Sequence, residues 1–178
     1  MLREVLEMGF TFITGGASSG KSEYALRLFR DWMDVTFIAT GLSTDAEMDR
    51  RIAAHRAQRP ACWETIEEPV DLISALKRVD PSQGGVIIDC LTMWISNLRY
   101  MEKCTSRTIT ELAGEVVSFL RCLEKKVVVV SNELGMSIIP DSEESREFRS
   151  TAGEVNQIFA RGCEAAYLVV SGLGLKLK

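Results

Sequence analysis

Histidine is nearly absent from this chain: His55 is the only one among 178 residues. That excludes His-rich metal chemistry and leaves a catalytic histidine one possible address. The five cysteines, Cys62, Cys90, Cys104, Cys122 and Cys163, are odd in number and never spaced C-x-x-C. This argues against both a zinc site and a disulfide framework, and they read as small buried or neutral thiols. Long apolar runs are missing too. The strongest, Val127 to Val130, sits between Lys126 and Ser131, far short of the roughly 20 residues of a membrane span. Residues 1–16 lack a secretory apolar core followed by a small-residue cleavage site, so the expected location is the cytoplasm. There is no basic surplus, since 21 Lys+Arg stand against 25 Asp+Glu for a charge of −4. A general nucleic-acid binder is thereby disfavoured, and a small-molecule partner is expected. No repeat, low-complexity tract or linker divides the chain.

What is present is ordinary globular material, 46% hydrophobic and 26% charged, of a length suited to one core. The expectation is a single nucleotide-binding domain over residues 1–178, with 1–8 as an N-terminal extension. Apolar, β-rich runs at Phe10–Thr14, Val35–Ala39, Trp63–Glu67, Gly85–Asp89, Lys126–Ser131 and Ala166–Ser171 alternate with segments of helical spacing. The latter are Ser22–Trp32, Thr44–Gln58, Val70–Val79, Thr108–Lys125 and Ser145–Cys163. Val86-Ile87-Ile88 and Val127–Val130 are apolar on both faces, as in central strands covered by helices. Gly172 and Gly174 separate Leu168-Val169-Val170 from Leu175-Lys176-Leu177 near the end, which predicts a C-terminal edge strand or hairpin.

Directly after the first run, Gly15-Gly16-Ala17-Ser18-Ser19-Gly20-Lys21-Ser22 fits G-x-x-x-x-G-K-[ST] in full. The glycines let successive N–H groups turn inward at a helix N-terminus, forming an anion cradle. Lys21 then reaches the β- and γ-phosphates, and Ser22 gives its hydroxyl to Mg²⁺. Asp89, closing an apolar strand, either supplies the second group for Mg²⁺ or caps the helix that follows. The fold class is therefore α/β: a P-loop NTPase-like three-layer sandwich with a mostly parallel central sheet.

Thr44-Asp45-Ala46-Glu47 reads as a capping box opening a helix. Acids fill its early turns and bases its later ones, which complements the helix dipole without any function. Arg51, His55, Gln58 and Arg59 share one stripe of it. The stripe is either a solvated face or an anion site with an imidazole nucleophile in it.

The motifs Ile13–Ser22, Phe37–Thr40, Glu47-Met48, Arg51–Arg56 with Arg59-Pro60, and Trp63–Pro69 recur together in one family. So do Asp89–Thr92, Ser131–Met136 with Ile139-Pro140, Phe148-Arg149 with Ala152-Gly153 and Asn156-Gln157, and Val170–Gly172 with Leu177-Lys178. The chain resembles the bifunctional adenosylcobinamide kinase / adenosylcobinamide-phosphate guanylyltransferase family of cobalamin biosynthesis. H-R-x-x-R-P-x-x-W-x-T-x-E and N-E-x-G-M are the specific elements. The resemblance implies a transferase with two steps. The aminopropanol hydroxyl of adenosylcobinamide is phosphorylated from ATP or GTP. GTP then guanylylates a histidine, matched by His55, and GMP passes to the new phosphate to give adenosylcobinamide-GDP.

The resemblance also implies a homotrimer, and it places Thr40, Gly41 and Glu67 around the nucleotide. Lys21, Arg56 and Arg59 are candidates for spreading phosphate charge. Asn132 and Glu133 either contact the corrinoid arm or form a plain turn. Many relatives carry an acid where this chain has Ser150. The competing functions are a P-loop kinase of another small alcohol and a GTP-dependent binding switch without transfer.

Overall fold

The structure, a computed structural model, describes residues 9–43 and 45–178. The expected extension, residues 1–8, and Thr44 of the expected capping box lie outside the described residues. Among the described residues, seven strands and six helices follow in order: β1 (Gly9–Thr14), α1 (Lys21–Leu28), β2 (Val35–Ala39), α2 (Ala46–Ala57), β3 (Glu64–Glu67), α3 (Leu72–Arg78), β4 (Gly85–Asp89), α4 (Leu91–Tyr100), α5 (Ser106–Arg121), β5 (Lys126–Val130), α6 (Glu143–Gly162), β6 (Ala165–Val170) and β7 (Leu173–Lys176).

One sheet holds all seven strands in the order β3-β2-β4-β5-β1-β6-β7. Every pairing is parallel except β6 with β7, which form the C-terminal hairpin. The period of two along each strand divides the core. Phe10, Phe12, Val86, Ile88, Val127 and Val129 face α3, α4, α5 and α6. Ile13, Phe37, Ile87, Val128 and Val130 face α1 and Trp63. Alternate apolar side chains thus bury two faces against helices, which is why these runs carry no polar stripe.

The helix α4 was not among the expected elements. Leu91, Trp94, Ile95 and Leu98 have helical spacing and are all buried, so the signal was present but lay too close behind the β4 run. Asp45 caps α2: its carboxylate accepts from the N–H groups of Glu47 and Met48, both at 2.9 Å. Of the five thiols, read as buried or neutral, Cys163 is buried while Cys62 and Cys122 are exposed. Among the described residues no helix is long and apolar enough to cross a membrane.

The strand ends are laced together. Ser131 N–H donates to the Ile13 carbonyl and Glu133 N–H to the Gly15 carbonyl, both at 2.9 Å. Asn132 N–H donates to Thr92 Oγ1 at 2.9 Å, and buried Asn156 joins Ser131 Oγ at 2.6 Å to the Asn132 carbonyl at 3.0 Å. These bonds hold the loops after β1, β4 and β5 against one another at the carboxyl edge, where open α/β sheets bind ligands.

Ile88 is fully buried and Leu175 is 61% exposed. Urea unfolding of Ile88→Ala is expected to show a loss of about 2–5 kcal/mol, while Leu175→Ala stays within about 0.5 kcal/mol of the parent.

Candidate active site

The loop after β1 turns sharply because Gly15 lies against the backbone of β6. Its φ is 157°, and a Cβ there would meet the Val169 carbonyl oxygen at 2.3 Å, so no other residue fits. The chain then wraps to the first turn of α1. Lys21 is buried at 7% exposure, and its Nζ donates to the Gly16 carbonyl at 2.6 Å across the loop.

The loop forms one wall of a cleft of about 480 Å³. Ala17, Ser18, Ser19, Gly20, Lys21 and Ser22 line it, as do Gly41 after β2, Asp89 and Cys90 after β4, and Asn132 after β5. The opposite wall comes from α2 and the turn beyond it, with Met48, Ile52, His55, Gln58 and Arg59. His55 and the phosphate loop, 33 to 40 residues apart in sequence, therefore share a single cavity. The Arg51 side chain of the predicted stripe lies outside what is described.

Arg59 is the most firmly placed cation on the α2 side. Its guanidinium carbon stacks 3.7 Å from the centroid of the Phe37 ring, and Nη1 donates to Thr65 Oγ1 at 3.3 Å. Stacking plus a fixed donor fork is a task for Arg rather than Lys. Burial pushes its pKa below the usual value, while the Asp89 carboxylate acts in the opposite sense. Among the described residues, Arg59 Nε and Ser19 Oγ are buried without a hydrogen-bond partner. Such atoms cost stability until something satisfies them, and both belong to residues of the cleft wall.

Other expected nucleotide contacts are elsewhere. Thr40 is fully buried, and its hydroxyl both accepts from the Cys90 N–H and donates to the Cys90 carbonyl, each at 2.8 Å. It fastens β2 to β4 and does not line the cleft, because a hydroxyl at a strand end also satisfies backbone. Arg56 and Glu67 pair with each other at 3.5 Å, 65% and 69% exposed, outside the cleft wall. Glu133 turns back to accept from the Gly135 N–H at 2.6 Å, closing its own turn. Gly15 and Gly16 shape the loop without lining the cavity, and Ser150 lies exposed on α6. Met93 and Glu23 line the cleft but carry no motif that sequence reasoning would have picked out.

Ser22 and Asp89 face the same cavity. A hydroxyl and a carboxylate make a hard-oxygen donor set of the kind Mg²⁺ takes while keeping several waters, so these residues fit that ion. Cys90 lines the same cleft, and burial, and then the Asp89 charge, push its thiol up to about 12, which disfavours the thiolate.

Fold and cleft together define a P-loop protein whose loop opens onto a cleft. Residues 11–177 match the family described as cobinamide kinase / cobinamide phosphate guanyltransferase. The bifunctional adenosylcobalamin biosynthesis protein CobP of Pseudomonas aeruginosa is 40% identical over 170 residues, covering 93% of this chain and 95% of that one. The protein CobU of Escherichia coli, of the same description, is 37% identical over 182 residues, covering 93% and 98%. A KaiC-like protein from Pyrococcus horikoshii OT3 shares the fold, with a TM-score of 0.57 at 13% identity over 90% of this chain and 70% of that one.

The chain belongs to the cobinamide kinase / cobinamide phosphate guanyltransferase family, and it is a bifunctional kinase and guanylyltransferase. Membership sets aside the binding switch without transfer.

A raised thiol pKa leaves almost no thiolate near pH 8. Limited iodoacetamide at that pH is expected to label exposed Cys62 and Cys122 first and leave Cys90 unmodified, as read by peptide mass.

Proposed function

We propose that this enzyme phosphorylates the aminopropanol hydroxyl of adenosylcobinamide from ATP or GTP. It then passes GMP from GTP, through His55, to the new phosphate to give adenosylcobinamide-GDP. The observation that carries the reading is the shared cleft: the phosphate loop and His55 line the same cavity. A transfer that alternates between side chain and bound triphosphate needs that proximity.

In the kinase step the substrate hydroxyl oxygen attacks the γ-phosphorus, the bond from that phosphorus to the bridging oxygen breaks, the nucleoside diphosphate leaves and the hydroxyl proton passes to water. Backbone N–H groups of residues 17–20 and Lys21 take up the charge. Ser22 and Asp89 would hold Mg²⁺, which supplies further neutralisation of the phosphates when bound.

In the guanylyl step an imidazole nitrogen lone pair attacks the α-phosphorus of GTP, and the bond to the β-phosphate oxygen breaks, releasing pyrophosphate. The resulting phosphoramidate is then attacked by a phosphate oxygen of the phosphorylated acceptor. The P–N bond breaks, its electron pair returns to the ring, and a diphosphate linkage forms. Two displacements at phosphorus replace one harder one.

Among the described residues no hydrogen-bond partner holds the imidazole. Arg59, four residues on and stacked on Phe37, is set to balance charge developing at the α-phosphate. Asn132, on the cleft wall beside the phosphate loop, is the candidate contact for the acceptor arm. Glu133 supports it only through the turn that it closes.

His55→Ala separates the two activities. Phosphorylation of adenosylcobinamide is expected to stay within about threefold of the parent, while GMP transfer falls by at least about a thousandfold, the scale seen when a covalent nucleophile is removed. Equal loss of both in a folded variant would contradict the assignment.

A further inference from the structure

The C-terminal hairpin touches the phosphate-binding loop from outside the cleft. Ser171 and Gly172, with φ of 51° and 77°, form the two-residue turn between Val170 and Leu173, which pair with each other. Positive φ at both central residues is what a type I′ hairpin turn requires. The tip reaches the loop: Gly172 N–H donates to the Ser19 carbonyl at 2.8 Å. The Gly172 carbonyl in turn accepts from Arg27 Nη2 of α1 at 2.8 Å. The hairpin is seated on α1 a second time at Gly174, where a Cβ would meet the Tyr24 ring at 2.4 Å.

In a planar trans peptide the carbonyl and the following N–H point in opposite directions. A Ser19 carbonyl drawn outward to Gly172 therefore turns the Gly20 N–H the other way, toward the cleft that Gly20 lines. The N–H groups of an anion cradle work only while they converge, and the bond from Gly172 holds this peptide plane from outside the loop.

We infer that the β6–β7 hairpin is a positioning clamp for the phosphate-binding loop, with Gly172 orienting the Ser19–Gly20 peptide and Arg27 holding Gly172. Neither residue belongs to any recognised nucleotide motif. The inference rests on the reading of residues 15–22 as the triphosphate site.

The test uses the full chain with Arg27→Ala and Arg27→Lys, read by calorimetric titration with GTP and Mg²⁺ and by steady-state kinetics of phosphoryl transfer. Arg27 is exposed, but its guanidinium carbon also lies 5.4 Å from the centroid of the core residue Tyr24, so urea unfolding of each variant accompanies the titrations and a loss of GTP affinity counts for the clamp only where stability is kept. Arg27→Ala is expected to raise the GTP Kd about three- to tenfold, the effect of one hydrogen bond. The triphosphate KM should rise in step, with the acceptor KM unchanged and kcat within about twofold. Arg27→Lys, which keeps a donor on a long stem, should recover part of the loss. A GTP Kd unchanged in Arg27→Ala, or a fall in kcat with the triphosphate KM constant, would overturn the clamp. Lys21→Ala serves as reference: unaltered GTP binding in that variant would instead overturn the triphosphate site itself.

Discussion

In the proposed function, backbone N–H groups of one short loop converge on a highly charged anion, and a loop left to itself would hydrogen-bond them elsewhere or to water. The rest of the molecule keeps that loop open. β1 delivers it from the middle of a parallel sheet, and Gly15 passes so close to the Val169 carbonyl that no side chain fits between them. The loop after β5 ties the Gly15 carbonyl to Glu133 N–H. The hydrophobic layers on either side of β4, β5 and β1 stabilise this arrangement, because each strand end can move only if buried Val, Ile and Phe side chains move with it.

The charge balance follows the same geometry. A chain of net charge −4 is not repelled from a triphosphate if its cations are gathered where the phosphates go. Lys21 on one wall and Arg59 on the other face the cleft, which Asp89 and Ser22 also line. The exposed pair of Arg56 and Glu67 contributes little, as solvated ion pairs do. Arg59 differs because Phe37 and Thr65 hold its guanidinium in place, so less side-chain entropy is lost when a phosphate binds.

Most of the fold was legible because the physics behind it is local. Val35–Ala39 and Gly85–Asp89 are strands with the expected bounds, since runs apolar on both faces suit only a sheet covered on both sides. The C-terminal hairpin was announced by its glycines. The phosphate loop was legible because its chemistry is contiguous in sequence, whereas the fate of each polar side chain at a strand end was not. Thr40 and Asn132 look alike from sequence, but Thr40 satisfies the Cys90 backbone and only Asn132 lines the cleft. The stacking of Arg59 on Phe37 joins residues 22 apart and leaves no periodic trace. Likewise, nothing in Arg27 or Gly172 marks the bond across 145 positions that ties them.

The claim on which the account turns is that the one histidine of the chain lies within reach of a triphosphate held by residues 15–22. Intact mass of the purified protein after incubation with GTP and Mg²⁺, followed by peptide mapping under alkaline conditions that preserve a phosphoramidate, tests it directly. The account predicts one GMP per chain, located on His55 and absent from His55→Ala. An unmodified mass, or an adduct on any other residue, would contradict it.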